Sequence, residues 1–147
     1  MENPSPNALP PSSFPPNRFV DLVRFEVTQV GQGRAEGWLR IEPVHHQSTG
    51  LVHGGAIATL ADTVAGYATA SVLPAGGRAV TAELKVSYFQ PAVGERLHAI
   101  GWVIRQGRKI NFCEAEIWLV NGASRQLIAK ASVTMATVTP KKSDAPS

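Results

Sequence analysis

An aspartate inside an apolar segment is the first residue of this sequence that could do chemistry. Asp62 is the only acid between Glu42 and Glu83, and its neighbours over residues 56–66 are mostly Ala, Ile, Leu, Val and Thr. Keeping a charged carboxylate among apolar side chains costs free energy unless the group is paired or used. The segment alone leaves two interpretations open: a catalytic carboxylate, or a structural aspartate that bonds a nearby loop or faces solvent.

Two glycines precede this segment and suggest a second chemical group. The sequence His53-Gly54-Gly55 stands where a helix would begin. Glycines there let a ligand approach the backbone closely, and the unpaired N–H groups of a first helical turn can bind a developing negative charge. This is the chemistry of an oxyanion hole. The alternative is a flexible connection into the helix.

The spacing of the two groups constrains how they could cooperate. Gly54 and Asp62 are eight residues apart, which on one helix separates them by about 12 Å along the axis. One substrate carbonyl cannot be within hydrogen-bond distance of both. If both act on the same carbonyl, they come from different subunits, so the sequence predicts a homo-oligomer, a dimer or a dimer of dimers, with the site at the interface.

The elements that position these residues follow from hydrophobic periodicity. Over residues 56–72 the apolar residues recur every three to four positions, which predicts a helix. Two strand-like runs precede it and four follow it, at residues 24–31, 34–41, 79–89, 96–105, 110–120 and 126–138. The short connections at 90–95, 106–109 and 121–123 predict antiparallel pairing of successive strands. The fold class is therefore α+β, with an antiparallel sheet wrapped around one central helix.

The ends of the chain differ in composition from its middle. Residues 1–16 contain six of the eleven prolines, and such a segment lacks both amide donors and apolar surface. We therefore predict a disordered proline-rich arm at residues 1–17, a single domain at 18–138, and a disordered tail at 139–147.

Composition excludes several classes of function. The net charge of +3 has no basic run with interleaved aromatics, so we expect no nucleic-acid partner. Cys113 is the only cysteine, which excludes an intrachain disulfide framework and fits a spectator thiol. His45 and His46 have no acid or cysteine cluster nearby, so no metal is expected. The N-terminus lacks the pattern of a signal peptide, and residues 56–73 would be a poor membrane span. We expect a cytoplasmic protein that does not bind membranes.

Several segments resemble a known family in order and spacing. Residues 47–55 (Gln-Ser-Thr-Gly-Leu-Val-His-Gly-Gly) and 60–63 (Leu-Ala-Asp-Thr) are similar to the signature of hotdog-fold acyl-CoA thioesterases. The branch they most resemble is the phenylacetate-pathway type of the hydroxybenzoyl-CoA thioesterase superfamily. Residues 80–84, 88–92 and 105–108 resemble later blocks of the same family. The likeness covers about residues 20–138.

The resemblance implies roles for four catalytic residues. The carboxylate of Asp62 would attack the thioester carbonyl or activate a water that does. The Gly54 N–H of the partner subunit would polarise that carbonyl, and the Thr81 hydroxyl would help to orient the water. Gln47 stands where many relatives carry Asn, and its longer side chain leaves its contact open. No cofactor is implied, because CoA is part of the substrate.

The remaining candidates concern substrate binding. His53 and Gly55 flank the helix start, and the His53 ring is expected to hold the loop. Arg105, Arg108 and Lys109 lie in a turn and could bind CoA phosphates, or could be an ordinary solvated turn. The acyl group, aryl or medium-chain, is not defined by the sequence. Two rival functions remain: a hotdog hydratase or dehydratase, which would need a catalytic histidine that this helix lacks, and a non-catalytic acyl-CoA-binding module.

Overall fold

A computed structural model of the protein describes residues 9–139. The predicted tail at 139–147 and the first eight residues of the predicted arm lie outside the described residues, apart from Thr139. Within this range the structure has six strands and two α-helices. They are α1 (Arg18–Val23), β1 (Phe25–Gly31), β2 (Arg34–Arg40), α2 (Gly54–Ala70), β3 (Arg78–Tyr88), β4 (Arg96–Gln106), β5 (Ile110–Asn121) and β6 (Ser124–Val138).

One antiparallel sheet contains all six strands, in the order β1-β2-β4-β5-β6-β3. The side chains that alternate along β5 show how it is built: Cys113, Ala115 and Ile117 are buried against α2, and the residues between them lie on the opposite face. This alternation is the period of a strand with one covered face. The sheet therefore presents its apolar face to the helix.

The central helix α2 packs against every strand of the sheet. Its buried side chains, among them Ile57, Leu60, Val64 and Ala68, repeat at the helical spacing that predicted it. The contact is closest at Gly101 of β4, where an added Cβ would lie 2.8 Å from the Val64 backbone. Only glycine fits there. Among the described residues, no helix combines the length and apolarity needed to cross a bilayer.

The prediction that β3 and β4 pair as neighbours is wrong. β3 lies at the edge of the sheet beside β6, whereas β4 lies between β2 and β5. The six-residue connection at 90–95 is not a hairpin. It crosses the open end of the curled sheet, where Ala92 is buried and its carbonyl accepts a hydrogen bond from the Val52 N–H at 3.0 Å.

The described part of the N-terminal segment contacts the domain. The Leu9 N–H donates to the Val30 carbonyl at 2.6 Å, residues 11–13 form a 3₁₀ turn, and Asn17 caps α1 through the Val20 N–H. Phe14 packs against the hydrophobic core. Over residues 9–17 the structure therefore differs from the expectation of a disordered arm. The proline-rich composition predicted too little apolar surface for packing, but the Phe14 side chain supplies an apolar contact with the core.

Candidate active site

Asp62 and Thr81 form a hydrogen-bonded pair between α2 and β3. The Thr81 hydroxyl donates to Asp62 Oδ1 at 2.5 Å, and the Met135 sulfur lies 3.5 Å from the same hydroxyl. The ladder between β3 and β6 shifts register just after Thr81, and bulges of this kind re-aim side chains. The second carboxylate oxygen of Asp62 has no hydrogen-bond partner within residues 9–139. That oxygen is therefore free to attack a carbonyl or to accept a proton.

The pair lies in the wall of a cavity of about 450 Å³. One side of the cavity is α2, which contributes Asp62, Gly66 and Tyr67. Gly66 lies one helical turn after Asp62 on the same face of the helix. The other sides come from the starts of β3 and α1 and from Met135 of β6. Burial raises the pKa of the Tyr67 phenol, so its hydroxyl stays neutral. The cavity has the volume of a small-molecule site.

The start of α2 offers one free backbone donor, and it belongs to Gly54. The Gly55 N–H donates to Nδ1 of His53 at 2.8 Å, which makes His53 the N-cap of the helix. Nothing in the described chain accepts the N–H of Gly54. The Tyr88 hydroxyl donates to the Gly54 carbonyl at 2.7 Å and fixes this turn against β3. A carbonyl oxygen that gains negative charge could bind at the Gly54 N–H.

Gly54 and Asp62 do not meet within one chain. Both lie on the uninterrupted helix α2, eight positions apart, so about 12 Å separates them along its axis. Gly54 does not line the cavity that contains Asp62. The separation expected from the sequence is therefore present in the structure.

Gln47 makes its contact within its own loop. Its side-chain oxygen accepts a hydrogen bond from the Thr49 N–H at 3.1 Å, and its backbone N–H donates to the Leu51 carbonyl at 2.7 Å. It does not line the Asp62 cavity of its own chain. The structure thus separates Gln47 from the Asp62–Thr81 pair.

The basic candidates Arg105, Arg108 and Lys109 are exposed at the turn between β4 and β5. The strand register gives the distance from this turn to the site. Asn111, at the start of β5, pairs with Met135 of β6, and Met135 pairs with Thr81 of β3. Two strand spacings separate Thr81 from Asn111, or roughly 10 Å. The turn is therefore near the Asp62 cavity but does not line it.

Cys113 is a buried thiol on the inner face of β5. Its sulfur lies 3.2 Å from the Thr69 hydroxyl, and burial raises the pKa of the thiol. A raised pKa lowers the thiolate fraction at neutral pH, which is the reactive form. This environment suits a structural cysteine.

We expect Cys113 in the native protein to react slowly, if at all, with a colorimetric thiol reagent, and to react fully after denaturation. The reason is burial together with the raised thiol pKa. The measurement is the number of thiols labelled with and without guanidinium. Rapid labelling of the native protein would show that β5 opens or that the thiol is accessible.

Sequence reasoning missed several residues of the site. Gly66 could have been found, because it follows Asp62 by four residues, or one turn, on a predicted helix. Phe14, Tyr88 and Met135 reach the site from distant parts of the chain. No spacing in the sequence relates them to Asp62.

A family model described as the thioesterase superfamily matches residues 49–125. This range includes Gly54, Asp62 and Thr81 and covers more than half of the chain. The chain belongs to the thioesterase superfamily. The prediction of a thioester hydrolase is confirmed at this level. The narrower phenylacetate-pathway type stays a prediction.

Individual relatives agree with this assignment. Human acyl-coenzyme A thioesterase 13 is 27% identical over 114 residues, which is 77% of this chain and 79% of that protein. A thioesterase family protein from Silicibacter pomeroyi superimposes with a TM-score of 0.84 at 24% identity, covering 88% of this chain and 95% of that one. A Bacillus halodurans protein solved with CoA has a TM-score of 0.76 and 28% identity, covering 86% and 82%. The predicted hotdog fold is confirmed.

Proposed function

We propose that the protein hydrolyses acyl-CoA thioesters, with Asp62 as the catalytic carboxylate of a site shared by two subunits. The observation that carries the proposal is the Asp62–Thr81 pair in the wall of a cavity, with one carboxylate oxygen free. A human relative named as an acyl-CoA thioesterase and a structural relative solved with CoA support the substrate class.

The chemistry requires one carboxylate and one oxyanion donor. The free oxygen of Asp62 either attacks the thioester carbonyl carbon or takes a proton from a water that attacks it. The carbonyl oxygen gains negative charge and is stabilised by a backbone N–H. If Asp62 attacks, the C–S bond breaks to leave a mixed anhydride on Asp62, and a water then hydrolyses that anhydride to the free acid and the Asp62 carboxylate. If a water attacks instead, it supplies the hydroxyl of the acid and Asp62 takes its proton. In both routes CoA leaves as the thiolate, which takes up the proton released by the water to become the thiol. Thr81 fixes the carboxylate by donating to its other oxygen.

A second subunit supplies the oxyanion donor in this proposal. If two copies of α2 pack antiparallel with Gly54 of one facing Asp62 of the other, the twofold axis passes beside Ala58, midway between them. Ala58 is partly exposed and small, so it permits close helix packing. The loop at 47–53, which includes Gln47, directly precedes Gly54, so in this proposal the partner's copy of the loop lies close to Asp62. This would give Gln47 a route to the substrate.

The sheet supports the same twofold axis. Thr81 contacts Asp62 and Tyr88 contacts Gly54, so β3 runs antiparallel along α2. In this proposal the midpoint of β3 between those contacts, near Leu84, lies at the level of Ala58. An antiparallel pairing of two β3 strands about Leu84 and a helix pairing about Ala58 can share one axis. This is the geometry of an isologous dimer.

The outer edge of β3 is suited to such pairing. Within the described chain, no strand pairs with that edge. Val80, Leu84 and Tyr88 are 52%, 36% and 49% exposed, which is unusual for large apolar side chains in a strand. An 11-residue edge strand with these residues is a template for another copy of itself. A homodimer, alone or within a tetramer, would cover it.

Release of free CoA from a panel of aryl and aliphatic acyl-CoAs, followed with a thiol reagent, tests the proposed activity. Thiol release above the spontaneous rate for at least one class is expected. The absence of release across the whole panel, from protein shown to be folded and oligomeric, would contradict the proposal. It would favour a non-catalytic acyl-CoA-binding module.

The exposed cations Arg105, Arg108 and Lys109 remain the proposed contacts of the CoA phosphates.

A further inference from the structure

We propose that the cavity beside Asp62 holds the acyl group, and that Phe14 and Gly66 set the size of the acyl group that it accepts. The inference rests on the proposed function, which it extends from the reacting carbonyl to the group attached to it. It assigns a role to the N-terminal segment, which lies outside the residues matched by the family model.

Phe14, in the N-terminal segment, forms one wall of the cavity. Its ring meets the Tyr67 ring edge-on, with centroids 5.1 Å apart and an interplanar angle of 89°. Aromatic pairs in this geometry attract each other beyond the effect of area burial. The segment is fixed on both sides of Phe14, by the Leu9–Val30 hydrogen bond and by the Asn17 cap of α1. The Phe14 ring is therefore fixed in position as one wall of the cavity.

Gly66 keeps the cavity open beside the catalytic carboxylate. It follows Asp62 by four residues and so lies one turn further along the same face of α2. A Cβ added at Gly66 would meet only the Met135 methyl, at 3.7 Å, which is an ordinary van der Waals contact. An alanine side chain at this position would therefore occupy cavity volume without a clash.

The dimensions of the cavity favour a compact acyl group. From Asp62 to Ala70, which also lines the cavity, eight residues span about 12 Å. The apolar wall along this length includes Tyr67, Ala70, Ala79 and Met135. Tyr67, and with it the Phe14 ring, lies about 7 Å along the axis from Asp62. In this proposal a medium-length or aryl-bearing acyl group fits this space, and a longer chain comes into contact with the Phe14 ring.

A second groove provides a matched control. Phe19, Leu22 and Val44 are exposed around the start of α2 and line an apolar groove that does not include Asp62. Leu22→Ala removes apolar surface from α1, as Phe14→Ala does from the segment before it, but leaves the Asp62 cavity unchanged. If the acyl group binds in the second groove instead, Leu22→Ala is the variant that changes acyl preference.

The experiment measures binding and turnover separately in the full-length protein. Non-hydrolysable ketone analogues, in which a methylene replaces the thioester sulfur, are made with short, medium and long acyl groups, and calorimetry measures their affinities. Phe14→Ala is expected to shift affinity toward the long analogue by about tenfold relative to the medium one, the scale for added or lost methylene space. Gly66→Ala is expected to shift it by several-fold in the opposite direction, without a lower melting temperature, because alanine is the better helix former. kcat/KM across the acyl-CoA panel should follow the same order.

The binding readout separates this inference from the proposed function. An unchanged order of analogue affinities in both Phe14→Ala and Gly66→Ala overturns the inference, whether or not the enzyme turns over. A shift with Leu22→Ala alone overturns it in favour of the second groove. Shifted affinities without thiol release by the wild type would retain the pocket assignment and contradict hydrolysis.

Discussion

Asp62→Asn is expected to lower turnover by at least about a hundredfold while the fold and oligomeric state remain intact. The amide has nearly the shape of the carboxylate and can still accept the Thr81 hydroxyl bond. It cannot attack a carbonyl or accept a proton, and loss of a positioned base or nucleophile costs about this much. The measurement is kcat for thiol release with a preferred acyl-CoA, together with the melting temperature and the native mass.

Asp21→Asn is the matched control for this substitution. Asp21 is exposed on α1 and does not line the Asp62 cavity, so the same chemical change there should leave kcat almost unchanged. Near wild-type turnover by folded Asp62→Asn protein would remove Asp62 from the mechanism. The free carboxylate oxygen would then have a structural role.

Gly54→Pro is expected to lower kcat by about a hundredfold or more, the cost of removing one oxyanion donor. Proline deletes the backbone N–H and adds a ring whose Cβ would lie 3.4 Å from Tyr88, and Gly54 is the first residue of α2, the helical position that proline favours. The preceding residue is compatible as well, since His53 has φ −61° and ψ 133°, in the extended region that a residue before proline prefers. The measurement is kcat alongside the melting temperature.

Gly54→Ala keeps the N–H and controls for the added side chain. An alanine Cβ would lie 3.4 Å from the Tyr88 ring, which is ordinary contact, so this variant should retain most of its activity. Equal activity of the Pro and Ala variants, both folded, would show that the Gly54 N–H is not used. Equal inactivity would assign the defect to crowding against Tyr88.

The sequence predicted α2 and most strands well because these elements bury one face; β3 is the exception, since none of its side chains is fully buried. The helical period around Asp62 and the alternation along β5 both follow from that burial. The helix begins two residues earlier than its apolar pattern, because His53 caps it and the two glycines contribute no apolar signal. The strand order was harder to predict. A short connection favours a hairpin, and the local sequence of residues 90–95 does not indicate that they cross the end of a curled sheet.

The candidate site was predictable only in part, because some of its contacts, like the strand order, depend on tertiary structure. Asp62 and Gly54 stand out locally, as an acid in an apolar helix and as glycines at its start. Thr81 came from the family resemblance, since its contact with Asp62 depends on a register shift between β3 and β6. Phe14 depends on tertiary contacts of a proline-rich segment, whose composition alone favours disorder.

Mixing Asp62→Asn and Gly54→Pro subunits, each inactive alone, tests the shared site most directly. After subunit exchange, random pairing makes about half of the dimers heterodimers. One site of each heterodimer carries both defects and the other carries neither, so the mixture should recover about a quarter of wild-type activity per subunit. Native mass spectrometry establishes that heterodimers have formed. Heterodimers that stay at background activity would contradict a site built from Asp62 of one chain and Gly54 of the other.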